Sequence, residues 1–125
     1  MGPVEIKFAV NKLVERCHGD SVQAGWYKDP KTGLPKPVNV GEKLMLVVSE
    51  VAEAMEGHRK NMMDDHLPNR KMVEVELADA VIRICDLSGF LGIDLGGAIA
   101  EKLEYNKNRS DHKIENRAKD GGKSY

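Results

Sequence analysis

The apolar residues of this chain fall at helical intervals in four places. Val4, Phe8, Leu13, Val14 and Cys17 recur with that spacing, and Pro3 suits a first turn, so a first amphipathic helix is expected over Val4–Cys17. A strongly apolar second helix is expected from Gly41 to about Lys60 and a third from about Met72 to Leu91. Gly92 then supplies a stop and Asp94 an N-cap for a fourth helix reaching roughly Asn108. Between the first two helices, Gly25, Pro30, Gly33, Pro35 and Pro37 break both periods, making 19–39 the longest irregular segment; Asn61–Asn69 closes the second helix as a loop. The fold class expected is all-α, a bundle of about four main helices in one domain over 1–125. Residues 110–125, nearly devoid of apolar side chains, form a loosely packed tail.

Composition narrows the function classes. With 41% hydrophobic but only 5% aromatic residues, the core must be aliphatic. A net charge of -1 leaves no cationic surplus for a nucleic-acid backbone, so no nucleic-acid partner is expected. No apolar run reaches membrane-spanning length and no export signal is visible, so no membrane partner is expected either. Cys17 and Cys85 sit in helical stretches and read as two buried thiols, consistent with a reducing, cytoplasmic location.

The second and third helices each interrupt their apolar surface with a narrow acidic sector. Glu50, Glu53 and Glu56 share one; Glu76, Asp79, Arg83 and Asp86 share the other. Either motif alone reads as a solvated face pairing with lysines. Two such motifs centred on the most apolar helices read differently, because clustered carboxylates that lose hydration repel one another without a cation. Arg83 can supply one positive charge; a hard divalent ion, magnesium with manganese as substitute, matches the charge of Glu50, Glu53, Glu76 and Asp79 better. A di-iron bundle is set aside because the chain has no ExxH. In the irregular segment, Trp26 and Tyr27 with Lys28 and Lys36 are placed to close over a base and its phosphates, or Trp26 simply pins the loop to the core. His58, Arg59 and Lys60 suit a helix C-terminus, and His66 and His112 read as solvated. Met62 and Met63 read as core filler or dimer surface.

Glu50-Val-Ala-Glu53 followed by Glu76-Leu-Ala-Asp79 resembles the ExxE and ExxD pair of MazG-like proteins, within the all-α nucleoside triphosphate pyrophosphatases, and the likeness covers most of the chain. Lys102, Asn106 and Arg109 match the family's downstream basic and amide positions, with Tyr105 beside them as a further candidate contact to sugar or base. The resemblance implies magnesium-dependent hydrolysis of a nucleoside or deoxynucleoside triphosphate between its α- and β-phosphates, giving NMP and pyrophosphate. It implies Glu50, Glu53, Glu76 and Asp79 as metal ligands, and Lys102, Asn106 and Arg109 as contacts to phosphate or ligand oxygens. It also implies a homodimer or a dimer of dimers. Many relatives carry a further glutamate directly before the ExxE, where this chain has Ser49. The general base then falls to Glu50 or Glu53, or to metal-bound hydroxide. The alternatives are a non-catalytic helical nucleotide- or protein-binding module and a relative of the phosphoribosyl-ATP pyrophosphohydrolases.

Overall fold

A computed structural model describes residues 1–109, 111 and 113–125; His112 lies outside these residues. The described residues are all-helical with four main helices: α1 (Pro3–Gln23), α2 (Val40–Arg59), α3 (Met72–Leu91) and α4 (Leu95–Asn108), followed by a single turn, α5 (Ile114–Arg117). No described helix is long and apolar enough to cross a membrane. The chain divides into two compact units, one comprising 1–12 with 94–125, the other 13–93.

Within the 13–93 unit, α2 and α3 are the closely packed pair. Asn39 starts α2 by accepting the amide of Glu42 (3.1 Å), and Gly92 ends α3 in the left-handed conformation (φ 67°), which costs a residue without Cβ little. The two helices run antiparallel. A Cβ on Gly57 would come within 2.6 Å of the Met72 side chain, so the glycine permits the close approach where the hairpin begins. The connecting loop is organised by Asp64, whose Oδ2 accepts the amides of His66 (2.9 Å) and Leu67 (2.8 Å) while its own amide donates to the Arg70 carbonyl (2.9 Å).

The first helix runs to Gln23, six residues beyond the end expected at Cys17. Gly19 is accommodated inside it, and the break falls instead at Gly25, whose φ of 87° a glycine adopts without penalty. Contacts to α3 hold this extra turn: His18 and Ser21 both bond to Asp86. The remainder of the irregular segment is a tight turn in which Asp29 Oδ1 accepts the amides of Lys31 and Thr32, with a lone bridge between Lys28 and Pro35.

In the other unit, Asp94 caps α4 by accepting the Gly97 amide (2.8 Å), and also takes Asn11 Nδ2 (2.9 Å) and Lys7 Nζ (3.2 Å) from α1. These partners hold its carboxyl down at about 2. Gly96 lies against the Lys7 carbonyl, where a Cβ would collide with backbone. After α4, Arg109 and Asp111 form a bidentate pair (3.0 and 2.7 Å) that Lys123 joins at 3.3 Å.

The burial pattern of α2 and α3 meets only in part the expectation that their apolar positions are buried: Ala54, Ala80, Cys85 and Leu87 are, and most of the larger ones are not. Leu44, Val48, Val51 and Met55 on α2, and Leu77, Val81 and Ile84 on α3, are each between 39% and 59% exposed. The buried positions are instead Glu50, Ala54 and Gly57 on α2, and Glu76, Ala80, Cys85, Leu87 and Ser88 on α3. Among the described residues no large side chain is fully buried, because two packed helices cover only one face of each other and small residues line that face. Cys17 and Cys85 are free and buried, as expected.

Candidate metal centre and adjoining cavity

Antiparallel packing brings the two acidic sectors face to face. Glu50, Glu76 and Asp79 each offer an oxygen, and these oxygens lie within 4.8 Å of one another. Glu50 and Glu76 are both about 9% exposed. Arg83 Nε donates to Glu50 Oε1 at 2.9 Å, so the guanidinium expected near these acids is present and engaged with one of them. A single cation cannot neutralise the group. Glu76 Oε2 is buried and has no hydrogen-bond donor among the described residues.

Protonation reflects this imbalance. The hydrogen bond with Glu50, burial and the nearby Glu53 push the Glu76 carboxyl up to about 8. Burial raises Glu50 too, but its hydrogen bonds with Glu76 and Arg83 outweigh that and leave it below the ordinary range. Burial first, then the charge of Glu50, raises Asp79; Asp64 adds to the same push. Without a metal, therefore, one proton sits on Glu76 and is shared with Glu50. Glu53 is solvent-exposed and outside the tight trio, yet it hydrogen-bonds with both buried glutamates and its charge acts on Glu76.

The carboxylates open onto a cavity of about 860 Å³, to whose wall Glu50 and Asp79 contribute. Trp26, Lys36, Lys43, Arg83 and Asp86 line it as well. Trp26 is 64% exposed and does not pin its loop to the core. Its neighbour Tyr27 does so: the phenol ring stacks on Phe90 (5.3 Å between centroids, 12° between planes) and its hydroxyl donates to Asp86 Oδ1 at 2.8 Å. Burial and that carboxylate raise the phenol above its ordinary value. Asp86 collects two more partners, His18 Nδ1 at 2.9 Å and Ser21 Oγ at 3.1 Å. Lys43 Nζ stands 5.3 Å from the Tyr27 ring centre.

Two features of this region are not apparent in the sequence pattern. Asp86 belongs visibly to the polar sector of α3, but its partners come from α1 and the following loop, which no helical periodicity connects to it. The burial of Asp64 and its influence on Asp79 depend on the loop's turn and not on any repeat. The spacing of Lys43 to Glu50 and of Asp79 to Asp86, seven residues in each helix, is the signal that could have found the pair.

The remaining sequence candidates lie on or next to α4, in the other unit. Lys102 Nζ stands 4.6 Å from the Tyr105 ring centre and the Arg109 guanidinium 5.8 Å, so these three gather on one side. Arg109 lies just past the helix end, with its guanidinium held by Asp111. Asn106 is half-buried, and its Oδ1 has no hydrogen-bond partner among the described residues. Around the second helix end, Arg59 and Lys60 pair with Glu56 (3.2 and 2.6 Å), which supports the structural role expected of them. No protein-family model, curated protein or solved structure matches the chain.

Proposed function

We propose that the chain is a magnesium-dependent nucleoside triphosphate pyrophosphohydrolase, cleaving between the α- and β-phosphates to NMP and pyrophosphate. The observation that carries this reading is the convergence of Glu50, Glu76 and Asp79 around a buried oxygen without a donor, at the wall of a cavity large enough for a nucleotide. The residues suit a hard divalent ion: all offer carboxylate oxygens, the trio is compact, and its charge exceeds what Arg83 neutralises. Glu50, Glu76 and Asp79 would hold the ion, with Glu53 at the rim completing the set. When bound, magnesium offsets the negative charge of the phosphates and of the displaced pyrophosphate.

The chain's own residues divide the remaining work. Glu53, exposed and free of a salt bridge among the described residues, takes the proton of the attacking water as its oxygen bonds to the α-phosphorus and the bridging oxygen departs with pyrophosphate. Glu50 is the weaker base because Arg83 stabilises its charged form. Arg83 and Lys36 set a positive wall along the cavity that offsets phosphate charge. Trp26 presents an open aromatic face on which a base can stack. Lys102, Asn106 and Arg109 are kept as substrate contacts on the strength of the MazG-like resemblance alone, and Tyr105 as a candidate contact because it lies next to Asn106.

Self-association belongs to the same reading. The apolar faces of α2 and α3 remain open in a single chain, and a second copy laid against them forms the missing core of a homodimer or homotetramer. The deciding experiment is a panel of nucleoside and deoxynucleoside triphosphates with magnesium or manganese, read by pyrophosphate and orthophosphate release. Pyrophosphate from at least one nucleotide, abolished by Glu53→Ala and by Asp79→Ala, is the expected result. A panel with no metal-dependent turnover would overturn the assignment.

A further inference from the structure

The α2–α3 register gives the cavity two polar levels. Gly57 meets Met72 and Glu50 meets Asp79, so one further heptad along each helix sets Lys43 level with Asp86. The Tyr27 side chain confirms the pairing, with its ring near Lys43 and its hydroxyl on Asp86. Seven residues of helix separate this level from the acids by about 10 Å, comparable to the distance from a nucleotide's phosphate to the edge of its base. Between the levels lie Leu46 and Arg83, both on the cavity wall.

We propose that the Lys43–Asp86 level reads the edge of the nucleobase and makes the chain selective among bases. This rests on the nucleotide reading of the acidic level. Asp86 Oδ1 is filled by His18 and Tyr27, whereas among the described residues Oδ2 accepts only Ser21 and retains one acceptor position. Lys43 has no carboxylate partner among the described residues and contributes a cationic donor. One acceptor beside one donor fits a base edge with an N–H next to an acceptor, and the bases differ in whether that pair is an exocyclic amine beside a ring nitrogen (adenine, cytosine) or a ring N–H beside a carbonyl (guanine, uracil, thymine). The three bonds to Asp86 fix the carboxylate in place, so that a mismatched edge leaves a buried polar group unpaired.

Titration of the four ribonucleoside 5′-monophosphates and thymidine monophosphate into the full, metal-free chain tests this without requiring turnover. The expected result is a spread of about tenfold or more among bases. Asp86→Asn should weaken the best ligand by about the same factor and narrow the spread, while ribose 5-phosphate, which has no base, binds all variants alike. Lys43→Gln, at a half-exposed position that leaves the packing intact, should act in the same direction and serves if the Asp86 variant fails to fold. Binding of every monophosphate unchanged by both variants overturns the proposal. So does an equal loss of ribose 5-phosphate, which marks a structural role, or no binding at millimolar ligand. An inactive triphosphate panel alongside base-selective monophosphate binding would sink the hydrolase reading and leave this one standing.

Discussion

Replacing Glu76 by glutamine should flatten the pH dependence of stability in the metal-free chain. The unfolded chain releases the Glu76 proton near the ordinary 4.5, the folded chain only near 8. Between these values the folded state carries a proton that the unfolded state lacks, so stability falls as pH rises from about 4.5 to about 8 and is level beyond. The shift alone sets a ceiling of about 5 kcal/mol. Glu50 is shifted downward, which acts only below pH 4.5 and does not offset this loss; because the two carboxylates titrate as a pair, the ceiling is discounted to roughly 2 kcal/mol across the window. In a chain of this size that corresponds to a fall in Tm of roughly 5–10 °C between pH 5 and pH 8. Thermal melts in chelator, followed by circular dichroism, should show that fall in the wild type and little of it in Glu76→Gln. Adding magnesium at pH 8 should raise the wild-type Tm, because the ion takes the proton's place among deprotonated carboxylates, and should leave the variant nearly unmoved. Wild-type stability that climbs from pH 5 to pH 8, or parallel slopes in both proteins, would refute the reasoning.

Other perturbations probe the frame around the acids. Gly57→Ala gains about 1 kcal/mol of helix propensity but drives a methyl into Met72, an overpacking that costs roughly 1–3 kcal/mol, so a net loss near 1 kcal/mol is expected in denaturant melts, and Met72→Ala in the same chain should relieve it. Tyr27→Phe removes one donor from Asp86 and should cost about 1–2 kcal/mol; the fluorescence of Trp26, the one tryptophan, should report the loosened loop, and an unchanged spectrum and midpoint would show that the hydroxyl anchors nothing. Val48→Glu places a charge on the open apolar stripe of α2 and should shift sedimentation toward the monomer; a wild type that sediments as a monomer at all concentrations would remove the need for a partner.

The helices were legible because their signals are local. Asp94 and Gly92 are a cap and a stop by the chemistry of single residues, and α3 spans Met72–Leu91 as its apolar period requires. The approach of Glu50 to Glu76 and Asp79 was also legible, since clustered acids on two apolar helices point toward each other or toward solvent, and here they face each other. The end of α1 was not, because Gly19 and Gly25 look alike in sequence and only the bonds from His18 and Ser21 to Asp86 decide which one breaks the helix. The seven-residue spacings that relate Lys43 to Glu50 and Asp79 to Asp86 reveal the Lys43–Asp86 level only once the register of the two helices is known, which neither helix encodes alone.

Burial is where helical periodicity misleads most instructively. An apolar stripe states that a surface needs covering, but not by what. On α2 the acidic sector is packed against α3 while Val48, Val51 and Met55 face outward, the reverse of what an isolated chain would choose if apolar burial alone decided the packing. Burying Glu50 and Glu76 carries a desolvation cost, and leaving the aliphatic stripe wet forfeits its hydrophobic stabilisation. On the proposed function, both deficits would be removed by binding: a divalent cation would satisfy the buried carboxylates, and a second helical pair would cover the stripe. The two events are then coupled through the same pair of helices, since whatever fixes the α2–α3 register for the metal also fixes the surface offered to the partner. Metal should consequently strengthen self-association, and sedimentation with and without magnesium measures that coupling directly; equal association constants in the two conditions would show that the two faces of the hairpin act independently.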